Sequence, residues 1–124
     1  MWPEIICPED NLHLIHTEHA MKCLRNHVWK IHLGIPRMAS QAGHYTDAFG
    51  LQWKTYCRTQ LDSYTKTTLS RDRARRCLGE HCWPMLHRSE ETHVLEVGCG
   101  AGRFTEVLLS TGAFVTSVDL SWGV

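Results

Sequence analysis

The rhythm of apolar and polar positions changes along the chain, and each change marks a different element. In His93-Val94-Leu95-Glu96-Val97 the apolar residues fall on both faces, as a central parallel strand requires. Gly98 to Gly102 is a glycine-rich turn. Arg103 to Ser110 returns to helical spacing through Phe104, Val107 and Leu108, with a turn at Gly112. Ala113 to Val118 is β-rich again and ends at Asp119. Strand, loop, helix and strand make one βαβ unit. Upstream, Phe49, Trp53 and Tyr56 fall at i, i+4 and i+7, so residues 45–63 predict a helix with an aromatic face. Gly50 weakens that helix by about 1 kcal/mol of propensity. The first reading of the aromatic face is core. Residues 70–82 predict a second helix, with Ser70 as N-cap and Asp72 in the first turn, where a negative charge suits the dipole. Ala74, Cys77, Leu78 and His81 would form its inner face, and Pro84 its end. Residues 1–38 carry short strand-like pieces, Ile5-Ile6 and Val28-Trp29-Lys30-Ile31, closed by turn chemistry at Gly34-Ile35-Pro36-Arg37. The chain thus divides into segments 1–38, 39–88 and 89–124.

Composition narrows the class. Hydrophobic residues make up 43% and charged residues 21%, a globular balance. Lys plus Arg (13) equals Asp plus Glu (13), so no global field draws the chain to nucleic acid or an anionic membrane. No apolar run approaches the ~18 residues of a membrane span. The start, Met1-Trp2-Pro3-Glu4, lacks a basic and then apolar leader. Six cysteines without such a leader point to free thiols or metal ligands more than to disulfides, and a cytoplasmic setting is expected. Arg71, Arg73, Arg75 and Arg76 read as a solvated helix face. Their alternative is a contact to a carboxylate or phosphate.

The glycine turn carries the clearest chemistry. In Glu96-Val97-Gly98-Cys99-Gly100-Ala101-Gly102 the glycines let the backbone turn sharply and approach a ligand with no Cβ between. The helix from Arg103 offers free N–H groups at its start, and ligands of open α/β sheets sit at such strand ends. Asp119, 19 residues after Gly100, can accept hydrogen bonds from ribose hydroxyls. Dinucleotide sites need Gly-x-Gly-x-x-Gly around a negative pyrophosphate. Here the spacing is Gly-x-Gly-x-Gly, and Glu96 would repel a pyrophosphate. An ammonium and a sulfonium would be favoured instead. Cys99 reads as a small filler of the turn.

Val94 to Phe104, with Val118-Asp119-Leu120-Ser121, resembles the first two motifs of class I S-adenosylmethionine (SAM)-dependent methyltransferases. The resemblance implies that Glu96, Gly98, Gly100 and Gly102 line the methionine side of SAM and that Asp119 binds its ribose. It implies an α/β chain: an incomplete Rossmann-like methyltransferase domain of one βαβ unit, preceded by helices and a small Cys/His-rich β module. The rest of the sheet and the general base would lie beyond residue 124, so this chain alone is expected to be inactive. Strand 94–97 would then lack partners for its apolar faces. Ser121-Trp122-Gly123-Val124 would start toward the next helix. Phe49 to Trp53, Thr59 to Ser63 and Leu69 to Arg73 resemble a segment that precedes the cofactor domain in a broad group of these enzymes and packs near the pocket as a partial lid. The implied activity is methyl transfer to O, N or C of an acceptor that the sequence leaves open. The alternative is a non-catalytic interaction module with a relic Rossmann unit. A dinucleotide oxidoreductase fits least.

The first segment has metal-ligand types at knuckle spacing. Structural zinc takes four ligands in tetrahedral array, usually as two close pairs. The pairs here would be Cys7 with Asp10 and Cys23 with His27. The arrangement resembles the zinc-ribbon-like module before some methyltransferase domains, including certain ribosomal RNA guanine methyltransferases. Asp10 stands where that module has a cysteine. Aspartate ligates zinc through oxygen but weakens the thiolate set, so both zinc binding and a metal-free fold stay open. His13, His16 and His19 suit no single knuckle and read as surface residues. Without a metal so small a module has too little core to stand alone and would lean on the helices.

Overall fold

The computed structural model describes residues 4–39, 47–88 and 92–121 of the chain. It is mixed α/β and divides into two compact units, Met1–Ala42 and Gly43–Val124. Residues 45–46 of the expected aromatic helix and 122–124 of the expected next helix lie outside the described residues.

In the first unit, β1 (Ile15–His16), β2 (Ala20–Lys22), β3 (Val28–His32) and β4 (Ile35–Pro36) form an antiparallel sheet in chain order. Met21 pairs with Trp29, and His32 with Ile35. The Thr17 hydroxyl holds the β1–β2 turn, donating to the Ala20 carbonyl at 2.7 Å. The β3–β4 turn is Leu33-Gly34, with φ of 50° and 79°. Positive φ at both central residues is the demand of a two-residue I′ hairpin. The expected turn at Gly34 to Arg37 is therefore displaced: Ile35-Pro36 is strand, tolerated because β4 is an edge that needs no N–H from proline. Ile5-Ile6 is not a strand; Ile6 makes an isolated bridge to His13. Among the described residues of this unit the buried hydrophobic ones are Cys7, Ala20, Met21 and Cys23.

The second unit contains α1 (Asp47–Thr55), α2 (Asp62–Thr65), α3 (Leu69–Met85), β5 (His93–Val97), α4 (Arg103–Leu109) and β6 (Phe114–Val118). The helix expected over 45–63 is thus two helices separated by a turn. β5 and β6 pair in parallel, Val97 against Val118. α4 packs on β6 and α3 through buried Val107 and Leu108. The opposite face of β5 is bare among the described residues, leaving Leu95 66% and Val97 76% exposed.

The inner face expected for α3 is corrected. Gly79 leaves the helical region (φ 68°, ψ −177°) and re-aims the turns that follow. Ala74 is buried and Leu78 half-buried, but Cys77 and His81 are exposed; Trp83 and Leu86 turn inward instead. Pro84 sits inside the last turn rather than beyond it. Ser70 is not the N-cap. Thr68 holds that position, and Ser70 lies buried in the first turn. The capping acceptor comes from α2: the Asp62 carboxylate takes the Ser70 and Arg71 N–H groups, each at 3.0 Å. The Ser70 hydroxyl donates to the Gln60 carbonyl at 3.2 Å and accepts from Arg103 Nε at 3.0 Å, tying α3 to α4.

Candidate functional site

Each half of the Cys/His cluster sits on a tight turn closed by an asparagine. Asn11 donates its N–H to the Cys7 carbonyl at 2.8 Å, and Asn26 to the Cys23 carbonyl at 3.0 Å. Both asparagines adopt positive φ, 59° and 64°, a conformation that asparagine tolerates better than most side chains. These turns bring Cys7, Asp10, Cys23 and His27 together, with one ligand atom of each within 4.8 Å of all the others. Cys23 Sγ lies 3.3 Å from Asp10 Oδ2 and 3.5 Å from His27 Nδ1. Cys7 Sγ is 3.5 Å from His27 Nδ1, and His27 Nδ1 is 3.1 Å from Asp10 Oδ2.

This donor set fits a tetrahedral divalent cation. Zinc with bonds of about 2.0–2.3 Å would separate S from N by about 3.6 Å, S from O by about 3.5 Å and N from O by about 3.3 Å. The four spacings given above are each within about 0.2 Å of these values, and the Cys7 Sγ lies within 4.8 Å of the Cys23 and Asp10 donor atoms. Asp10 Oδ1 is held by the Leu12 N–H at 3.0 Å, which leaves Oδ2 turned to the cluster. That N–H holds the Asp10 carboxyl below the usual carboxylate range, with the Cys23 and Cys7 thiols and His27 helping against burial. Burial pushes the Cys23 thiol up, with the Asp10 carboxylate adding to the shift. His13, His16 and His19 are exposed: His13 pairs with Glu4 at 3.1 Å and His19 lies 3.8 Å from Glu18. All six cysteines are free.

In the second unit the chain leaves β5 at Val97 and turns through three glycines into α4. Gly98, Gly100 and Gly102 have φ of 78°, 53° and 85°, values that favour glycine. The corner is tied to the end of β6. Gly98 and Cys99 donate N–H groups to the Val118 carbonyl, at 2.8 and 3.2 Å. The Asp119 carboxylate accepts the Gly100 N–H at 2.8 Å and the Ser121 N–H at 2.7 Å.

A cleft of about 390 Å³ opens beside the corner, within the range of small-molecule sites. Gly98, Gly100 and Asp119 line it, together with Phe49 and Trp53 from α1. Among its described lining residues there is no lysine, arginine or histidine. Phe49 and Trp53 stack with ring centroids 6.3 Å apart. Their core reading is corrected: Phe49 is 43% exposed, Trp53 half-buried, and Tyr56 lies exposed beyond the end of α1. The nine-residue helix lays its rings across the glycine corner instead of burying them beneath it.

Neither family models nor curated proteins yield a match to this chain.

Two residues of the expected cofactor set lie outside the cleft lining. Gly102 is the N-cap of α4. Glu96 faces α4, where its Oε2 accepts the hydroxyls of Thr105 at 2.5 Å and Ser117 at 2.7 Å. Its carboxylate thus joins β5, β6 and α4 below the corner. Cys99 is half-buried; burial first, then the charges of Asp119 and Glu96, push its thiol up. That is the opposite of what a nucleophilic thiolate needs. Arg71, Arg73, Arg75 and Arg76 are exposed. Among the described residues no helix is long and apolar enough to cross a membrane.

Proposed function

We propose that the second unit is the cofactor-binding corner of a Rossmann-like, class I SAM-dependent methyltransferase. The observation that carries this reading is the Asp119 carboxylate, hydrogen-bonded to the Gly100 N–H beside a cleft with no basic side chain among its described lining residues. A pyrophosphate would meet a carboxylate there and no cation, whereas a cationic nucleoside meets favourable charge. The spacing of the glycines and the acid at the following strand end support the same choice. Gly98 would admit the ligand close to the backbone, the bare side of Gly100 being taken by Trp53, and Asp119 retains lone pairs for ribose hydroxyls beyond those used on Gly100 and Ser121. Glu96 acts at one remove, by fixing α4 under the corner. When bound, SAM supplies an activated methyl group, and the protein contributes alignment of an acceptor, a matter of proximity and orientation. Calorimetry with SAM and S-adenosylhomocysteine is the test. The folded chain should bind both, and Asp119→Ala should weaken both. Absence of binding, or binding indifferent to Asp119→Ala, overturns the reading.

The spacing in the first unit favours a second role, a zinc-binding module. Cys7, Asp10, Cys23 and His27 would hold the ion, and the ion would brace both turns. As an interaction module this unit could serve the protein independently of methyl transfer. Metal analysis of the purified chain, expected to give one equivalent of zinc, tests the metal assignment.

A further inference from the structure

We propose that Trp53, backed by Phe49, makes the cleft a receptor for an organic cation, so that it holds the sulfonium nucleoside more tightly than the neutral thioether. The inference rests on the methyltransferase reading and extends it to the selectivity of the same site.

Trp53 lies directly against the glycine corner. A Cβ built on Gly100 would meet Trp53 Cε2 and Cζ2 at 3.1 Å. The indole is therefore a wall of the cleft at the point where the backbone is barest. Phe49, which also lines the cleft, stacks on it at 6.3 Å with an interplanar angle of 25°. Val97, Val118 and Leu120 make the rest of the lining largely apolar, and Asp119 is the ionisable residue among its described members. Aromatic faces attract cations through the ring quadrupole, tryptophan most strongly, and more so where water is partly excluded. A carboxylate on the same cleft adds to that attraction. Among the described lining residues no side chain is cationic. S-adenosylmethionine and S-adenosylhomocysteine differ by a methyl group and one positive charge at sulfur. A wall that senses that charge favours the substrate form over the product form and promotes product release.

The test is calorimetry on the whole chain with three ligands: SAM, S-adenosylhomocysteine, and sinefungin, which carries an ammonium in place of the sulfonium. Trp53→Leu should weaken SAM and sinefungin on the order of fivefold, and S-adenosylhomocysteine about twofold or less. Trp53→Phe, which keeps an aromatic face, should recover most of the difference, and Phe49→Leu should show a smaller version of it. Circular dichroism melts establish that each variant is folded. Equal weakening of all three ligands in Trp53→Leu overturns the cation role while leaving the nucleoside site standing. Wild-type protein that binds S-adenosylhomocysteine as tightly as SAM also overturns it, whatever the folding of the variants. Failure of the folded wild type to bind any of the three removes the methyltransferase reading and this inference together.

Discussion

Replacing Cys23 with alanine should abolish zinc binding by the first unit and remove the stability that the metal confers. Cys23 Sγ touches two of the other donors, Asp10 Oδ2 at 3.3 Å and His27 Nδ1 at 3.5 Å. Its loss leaves three ligands and an open side. In the wild type the four donor atoms already lie within 4.8 Å of one another, so little ordering remains to be done on binding. An ion that binds the folded but not the unfolded chain stabilises by RT ln(1 + [L]/Kd), about 2.7 kcal/mol when free zinc is a hundred times Kd. That is large for a unit whose buried hydrophobics are Cys7, Ala20, Met21 and Cys23, two of them donors. The assay is guanidinium unfolding with added zinc and with a chelator, beside metal analysis of the same samples. Wild-type protein should hold one equivalent and lose a transition to the chelator; Cys23→Ala should do neither. Asp10→Cys should behave in opposite ways with and without metal. The added thiolate holds zinc more tightly, but the metal-free unit loses the Leu12 N–H contact at 3.0 Å and becomes less stable. Wild-type protein without zinc, whose unfolding added zinc does not move, would refute the reasoning.

Asp62→Ala should lower the stability of the second unit by about 1 kcal/mol, because two N–H groups of α3 lose their acceptor; an unchanged melting temperature would contradict the capping role. Burial raises the Asp62 pKa, but the Ser70 and Arg71 N–H groups outweigh it and hold the carboxyl below its usual value. A depressed folded pKa means stability that is present above about pH 3.9 and lost as pH falls through the folded value, so Asp62→Asn should flatten the acid limb of the stability curve. Gly100→Ala should cost about 1–2 kcal/mol, since φ of 53° strains an L-residue and the new Cβ presses on Trp53; a variant as stable as wild type, binding SAM equally, would show that the corner tolerates a side chain. Cys99 should alkylate more slowly at pH 8 than exposed Cys57, Cys77 and Cys82, and Asp119→Asn should speed it; peptide mapping of the modified chain reads the order.

What the sequence determined by itself was local. Glycines at alternate positions after a β-rich run can do little except turn, and an acid at the end of the next run falls beside them once the strands pair in parallel. Close spacing likewise put Cys7 with Asp10 and Cys23 with His27 on single turns; the short strands then brought the two turns together. The tertiary structure decided everything that depended on partners distant in the chain. Asp62 caps a helix whose sequence offers a serine cap of its own, because the α2–α3 turn carries that carboxylate to the helix start. Glu96 is drawn from the cleft to Thr105 and Ser117 because its strand faces α4. Phe49 and Trp53 have core periodicity yet line the cleft, since periodicity reports which residues share a face and not what that face meets. Gly79 rotates the second half of α3 by one backbone choice that no hydrophobic pattern records.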